Sequence, residues 1–460
     1  MGALERDDEG AGRGADAAPP ALSLLARLSS GLLFAHRPGF AAVQSVLLQG
    51  LTVLANLVTG IITARLLGAQ GRGFYAVAVT WPALLGMAAL AGTGDGLLLR
   101  LRREPLSATA SVAWAALVAL TFSAVLTGVA YLLMPRLLGH DQQDALEIAR
   151  LGLLLTPFVA TGALFRQSFA GRGKFLLGNL AAFLPHLLHA VAVALFALTS
   201  ALTVGTAVAS LFCGVIASQL VLLRFLLREI GGPVAGLKAA ASWISNFARR
   251  AAPAELLTLC SSWADRLVLI MLLAPRELGL YAVAYGFSRV VTIATPPSGI
   301  LLSTMSGREP REAKRLHDTA VRFCIAALAT AVAIFFVLSD WLIHVFYGAE
   351  FLPAVGVFKI LVLQAAVNQV AMITAQLYLS MNRPTVTSCI EFIAVAVSAT
   401  LMIWLSPQYG ARGAAIGLLA GTSTRLVLLW CGLITHLGLS LPRLWINVDD
   451  LRTARSLLKA

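Results

Sequence analysis

Apolar runs of about twenty residues follow one another from residue 42 to residue 436, and nothing else in the chain constrains its fold as tightly. The runs predict spans at 42–64, 74–97, 108–134, 146–168, 175–198, 201–223, 252–274, 280–304, 319–341, 353–379, 385–406 and 412–436. Of the 460 residues, 58% are hydrophobic and 12% charged, about half the charged share usual for a soluble domain. A water-soluble fold of this length has too much surface to hide that much apolar side chain. A water-soluble enzyme is excluded, and lipid is the expected solvent. The five cysteines (Cys213, Cys260, Cys324, Cys389 and Cys431) all fall inside apolar runs without metal or redox spacing, and are expected to be small buried hydrophobes.

The net charge of +13 would point to nucleic acid in a soluble protein, but in a membrane protein it marks the cytoplasmic loops. With the N-terminus inside, 25 basic residues fall in inside segments, 7 in outside segments and 3 (Arg289, Lys359 and Arg425) within spans. That bias supports twelve spans, both termini in the cytoplasm and no nucleic-acid partner. Met1 to Pro20 has the composition of a disordered tail, and Ala21 to Phe34 is mildly amphipathic. Acidic residues come first and no short cleavable apolar run follows, so no signal peptide is expected. Between the sixth and seventh spans, Leu237, Ala240, Ile244 and Phe247 share one helical face, predicting an amphipathic helix on the inner membrane surface.

The two sides of that helix resemble each other. Gly73-Phe74-Tyr75-Ala76-Val77-Ala78 recurs 206 residues later as Gly279-Leu280-Tyr281-Ala282-Val283-Ala284. The turns Gly171–Lys174 and Met381–Pro384 both join a fourth span to a fifth, and Gly205-Thr206-Ala207 and Gly413-Ala414-Ala415 both open a sixth. Three pairs at nearly one offset predict a parallel duplication. The expected fold is an all-α membrane protein with about 12 transmembrane helices, in two pseudo-symmetric six-helix lobes around a central cavity. Its divisions are a cytoplasmic N-tail (1–40), an N-lobe (41–224), an amphipathic linker (225–251), a C-lobe (252–437) and a cytoplasmic C-tail (438–460). Transporters built from such repeats hold substrate at the interface and rock one half against the other.

Three motifs in order carry a family resemblance: Ala64-Arg65-Leu66-Leu67-Gly68 with Gly73-x-Tyr75; Asp265-Arg266-Leu267-Val268-Leu269 with Gly279-Leu280-Tyr281; and Tyr409-Gly410-x-x-Gly413-Ala414-Ala415. Over about residues 42–436 the chain resembles the lipopolysaccharide and O-antigen flippases, the polysaccharide-biosynthesis branch of the multidrug/oligosaccharidyl-lipid/polysaccharide exporter superfamily. The resemblance implies a non-enzymatic protein of the bacterial cytoplasmic (inner) membrane. It would move a polyprenyl-pyrophosphate-linked oligosaccharide, an O-antigen, capsule or exopolysaccharide unit, from the inner to the outer leaflet. Membrane lipids, glycosyltransferases and a polysaccharide polymerase are the implied partners. No cofactor is expected; H+ or Na+ coupling or the membrane potential could drive it. The lipid II flippases of the superfamily carry two further C-terminal spans, for which no room is visible after Leu437.

A charge at mid-bilayer costs several kcal/mol unless paired or hydrated, so each one is a functional candidate. Arg289, Arg425 and Lys359, with Arg65 at the outer end of the first span, are the expected cationic contacts for a pyrophosphate, whose oxygens suit the guanidinium fork. Asp265 and Glu391 are candidates for ion coupling or charge balance; internal ion pairing or snorkelling is the structural reading of the four cations, and a salt bridge with a neighbouring span that of Asp265. Pro296 and Pro297 predict a kink in the eighth span, and Gly94 and Gly96 beside Asp95 a helix end or hinge. His186 and His189 share a face but lack a visible third metal ligand, and are read as packing or cavity donors. Gly171-x-Gly173-Lys174 ends in Phe175 and is no Walker A motif; Rossmann and His-Glu-x-x-His spacings are absent. The competing functions are a cation/drug antiporter of the same superfamily, which needs cavity acids, and a membrane glycan polymerase or ligase, which needs a large outside loop. The longest outside stretch here is about Pro135 to Ala145.

Overall fold

The computed structural model describes residues 38–104, 107–138, 144–232, 236–294 and 308–442, with positions 234, 301, 305 and 306 between them. Nearly all of the predicted N-tail, most of the C-tail, and Pro296 and Pro297 lie outside the described residues. The helices are α1 (Pro38–Ala88), α2 (Thr93–Arg103), α3 (Ala108–Leu137), α4 (Leu146–Leu153), α5 (Thr156–Gly171), α6 (Phe175–Leu198) and α7 (Val204–Ile230). After a turn follow α8 (Leu237–Leu272), α9 (Pro275–Ser288) with a 3-10 turn over Arg289–Ala294, α10 (Pro310–Tyr347), α11 (Ala354–Ser380) and α12 (Pro384–Thr435).

Among the described residues, eight helical segments are long and apolar enough to cross a membrane: in α1, α3, α4 with α5, α6, α7, α10, α11 and α12. The protein is an all-helical membrane protein. Its outer faces carry large apolar side chains in the open, such as Leu132 at 77%, Leu198 at 83% and Val337 at 81% exposure. Water would penalise each; hydrocarbon does not. Four of the five cysteines share this fate. Cys324 is buried, but Cys213, Cys260, Cys389 and Cys431 are exposed, because in lipid an apolar residue is equally at home on the outside.

Several predicted loops are instead single-residue breaks. The expected loop between the first two spans is helix on both sides of Gly68 (φ 68°), and the last two spans form α12 bent at Gly410 (φ 56°). Both need the left-handed region, which glycine enters without a Cβ penalty. The second span ends at Ala88 rather than 97, and the chain turns at Gly92 into the separate short helix α2. The expected fourth span divides into α4 and α5 ahead of Pro157, which lacks the N–H to continue the ladder. Helix α9 is only 14 residues long, about 21 Å, before its 3-10 turn.

The predicted amphipathic linker and the seventh span are one 36-residue helix, α8, continuous through Pro253. Its buried face follows most of the expected stripe: Ala240 and Ile244 are fully covered and Phe247 lies against Gly96, but Leu237, in the first turn, is exposed. The face meets α2 and α3 rather than membrane alone, with Trp114 Nε1 donating to Ser245 Oγ at 3.1 Å and Arg100 over the Trp243 ring at 5.7 Å.

The repeated sequence pairs reappear as matched geometry. A Cβ at Gly73 would lie 1.9 Å from the Pro275 carbonyl oxygen, and one at Gly279 1.8 Å from that of Ala69. The two contacts exchange under the 206-residue offset, so α1 and α9 cross reciprocally, in the most extensive helix contact described. The turns after α5 and α11 also share one hydrogen-bond pattern. Lys174 N–H donates to Phe169 O at 2.8 Å and Arg383 N–H to Tyr378 O at 2.9 Å, with Gly173 and Asn382 at positive φ.

Substituting Gly73 or Gly279 by Ala forces α1 and α9 apart, and each change is expected to cost about 3 kcal/mol. Purified variants should melt well below the wild type in a thermal scan. Gly286→Ala, with nothing within 4 Å of its new Cβ, should melt at or slightly above the wild-type temperature.

Candidate substrate cavity

Four helices of the second half enclose a cavity of about 160 Å³. Helical periodicity brings its polar groups together as stripes. Helix α8 supplies Asp265; Tyr285 and Arg289 follow Tyr281 at i+4 and i+8 along α9 and into its 3-10 turn. Helix α11 adds Gln364 and Asn368 at i, i+4. The arm of α12 before Gly410 adds Glu391 and Ser398, and the arm after it Thr422 and Arg425.

Arg425 and Glu391 neutralise each other across the cavity, Nε to Oε2 at 2.8 Å, with side-chain exposures of 16% and 37%. Asn368 Oδ1 accepts a further, longer bond from Arg425 at 3.4 Å, and Gln364 Nε2 donates to Thr422 Oγ1 at 2.9 Å. Arg289 is held differently. Its guanidinium lies 4.3 Å from the centre of the Tyr285 ring and donates to the phenol oxygen. The next arginine, Arg266, donates to the same oxygen at 3.5 Å and stacks on Trp263 at 4.4 Å. Neither forms an ion pair among the described residues, although the Asp265 carboxylate interacts electrostatically with both. The pocket therefore offers a self-neutralised pair on one wall and cationic charge on another.

Of the residues singled out from sequence, Arg289, Arg425, Asp265 and Glu391 come together here. Arg65 and Lys359 do not. Arg65, exposed on α1, donates Nε to the Phe346 carbonyl at 2.8 Å and Nη2 to that of Val345, covering the last turn of α10. Lys359 sits 3.5 Å from the exposed Asp340, its own side chain partly covered. Depth in a span is countable from sequence, whereas the direction a side chain faces depends on neighbouring helices.

Gly94 and Gly96 lie within α2, and the break falls at Gly92, whose N–H donates to Glu255 Oε2 at 2.7 Å. Asp95 occupies the first turn of α2, a helix-end position. His189 is engaged in packing, with Tyr75 Oη at 2.8 Å and Ser210 Oγ at 3.0 Å from its ring nitrogens. Arg72 and Arg266 belong to α1 and α8, and Arg72 lies over the Tyr75 ring at 5.0 Å. Tyr285, Gln364 and Asn368 were missed because a search for charge passes over neutral polar side chains. The four-residue spacing of Tyr281, Tyr285 and Arg289 is the signal that marks them.

Comparison with known proteins places this geometry. The lipid II flippase MurJ in an inward closed conformation superposes with a TM-score of 0.70 at 12% identity, over 90% of this chain and 91% of that one. An inward-facing multidrug resistance MATE transporter of the MOP superfamily gives 0.66 at 14% identity, over 84% and 94%. A MOP superfamily transporter from Pyrococcus furiosus, described by the reverse polarity of its binding pocket, gives 0.54 at 15% identity, over 87% and 96%. These similarities fix the fold. No curated protein sequence matches. The polysaccharide biosynthesis protein family matches residues 42–301, more than half of the chain. The chain belongs to the polysaccharide biosynthesis protein family.

Proposed function

We propose that the protein is a flippase carrying a polyprenyl-pyrophosphate-linked oligosaccharide from the inner to the outer leaflet of a bacterial cytoplasmic membrane. The observation that carries this reading is Arg289, a cation that lines a cavity and is held by a neutral tyrosine rather than a carboxylate. Family membership supports the glycan, and the guanidinium fork suits the diphosphate that tethers it. Arg425 with Glu391, Gln364 and Asn368 offers donors and acceptors of the kind a sugar requires. A cation antiporter would need cavity acids that outweigh the cations, and here Glu391 balances Arg425 while Asp265 faces both Arg266 and Arg289.

In this reading the arms of α1 and α12 on either side of their glycine breaks are separate spans. Twelve crossings then form two six-helix lobes, joined by the first half of α8. Both termini are cytoplasmic, and H+, Na+ or the membrane potential drives the cycle, with Asp265 and Glu391 as the acids available for coupling. Glycosyltransferases act before this step and a polymerase after it.

The direct test is deletion of the gene followed by analysis of lipid-linked glycans. Finished oligosaccharide-lipid should accumulate on the cytoplasmic side, and Arg289→Ala should fail to restore export while remaining in the membrane. Normal glycan export with altered dye resistance would reject the reading in favour of an antiporter.

Alternating access requires contacts that open on one side. Two cross-links bind the Gly68 break of α1 to the end of α10. Arg65 covers the carbonyls of Val345 and Phe346, and Glu350 Oε1 accepts from the Ala69 N–H at 2.9 Å. In the proposed topology they close the outer side. Spin labels at Gln70 and Leu352 should report longer, broader distances when Arg65→Ala and Glu350→Ala are combined, and an unchanged distribution would remove the clasp from the cycle.

A further inference from the structure

Helix α7 has one face packed into the protein and an opposite face whose charge nothing in the protein answers. Leu222, Leu226 and Ile230 are buried in the core of the first half. On the other side of the helix, at about 100° per residue, Leu220, Leu223, Arg224, Leu227 and Arg228 line an open groove of about 460 Å³. All five side chains are exposed, Leu220 at 65% and Leu227 at 57%. Leucine suits a surface that faces lipid, but an arginine there is costly unless it reaches water or an anion.

The surroundings of the two arginines point to an anion. Among the described residues, neither Arg224 nor Arg228 forms an ion pair or a side-chain hydrogen bond. The acid next to them in sequence, Glu229, is taken by Lys174 at 3.2 Å, which ties the end of α7 to the turn after α5. Arg224 and Arg228 lie about 9 Å and 3 Å before the end of α7 at Ile230. In the proposed topology that end is at the inner surface, where phospholipid phosphates lie. Two guanidinium forks one turn apart suit a phosphate, and Leu220 and Leu223 run from them towards the bilayer centre, as a lipid's chains do. The groove also stands apart from the substrate cavity. Helix α7 packs chiefly against α6, α1 and α5, all of the first half, whereas helices of the second half enclose the cavity.

We propose that this face of α7 is a binding site for an anionic phospholipid of the inner leaflet, whose phosphate is held by Arg224 and Arg228 and whose glycerol and acyl chains cover Leu220, Leu223 and Leu227. The occupant is a resident membrane lipid, and the site is independent of what the protein carries.

The test uses the full chain purified in detergent and titrated with phosphatidylglycerol or with phosphatidylcholine, whose choline cancels the phosphate charge. Bound lipid is counted by native mass spectrometry. The wild type should hold one phosphatidylglycerol at least about tenfold more tightly, the discrimination expected of a charge-assisted contact. Arg224→Ala combined with Arg228→Ala should abolish that preference. Arg102→Ala combined with Arg103→Ala, an exposed pair at the end of α2, should keep it. Leu223→Gln combined with Leu227→Gln leaves both charges and should still weaken phosphatidylglycerol binding several-fold. All these positions are on the surface, so the variants leave the core intact. An unchanged preference in the arginine pair would overturn the site. Unchanged binding in the leucine pair would reduce the groove to two snorkelling side chains and overturn it too. Displacement of phosphatidylglycerol by an equal concentration of farnesyl diphosphate would overturn the assignment to a resident lipid. A dimer that dissociates in the arginine variant with no loss of lipid would make the face an interface between copies of the chain, against the proposal.

Discussion

A helix that breaks leaves backbone N–H groups its own ladder no longer serves, and here the protein itself caps them. The three principal breaks of this fold are capped in one way. Glu350 takes the N–H of Ala69 after Gly68, Glu277 takes that of Ala411 after Gly410 at 3.0 Å, and Glu255 takes that of Gly92. In each case a carboxylate from a distant part of the chain meets the N-terminal end of a helix, where the local dipole also favours negative charge. These caps let α1 and α12 bend sharply without an exposed loop. They also explain why acids, costly in a membrane protein, occur where they do.

The bends set up the remainder of the packing. Once α1 turns at Gly68, its second arm crosses α9 at the paired glycines Gly73 and Gly279, each against the other helix's backbone. Backbones that approach so closely form the small-residue interface typical of membrane helices, where packing rather than the hydrophobic effect drives association. Helix α9 is thereby held in place along its first turns. Tyr281, Tyr285 and Arg289 are on the same short element, so the crossing that joins the halves also positions the cavity wall.

The cavity follows from the cost of burying charge. Glu391 offsets Arg425 directly, and Asp265 together with aromatic rings supports Arg266 and Arg289. Such an arrangement holds positive charge at depth without cancelling it, which an anion carrier needs and a cation carrier does not. Lys359 and Arg65 show the alternative, in which a basic residue spends its charge on an exposed acid or on the carbonyls ending a helix.

The sequence by itself determined the class of protein and most of the helices, because both depend on local apolarity and on counting along a helix. Arg289, Arg425, Asp265 and Glu391 were legible for that reason. Only the tertiary structure decided which of them share a cavity, that Arg65 and Lys359 stand elsewhere, and that Tyr285 joins Arg266 to Arg289. It also decided that loops expected at 65–73 and 407–411 are single glycine breaks, each met by a remote carboxylate that accepts from the N–H after the glycine. Azimuth around a helix and the partner of a cap are set by neighbours scores or hundreds of residues away, and no window of local sequence contains them.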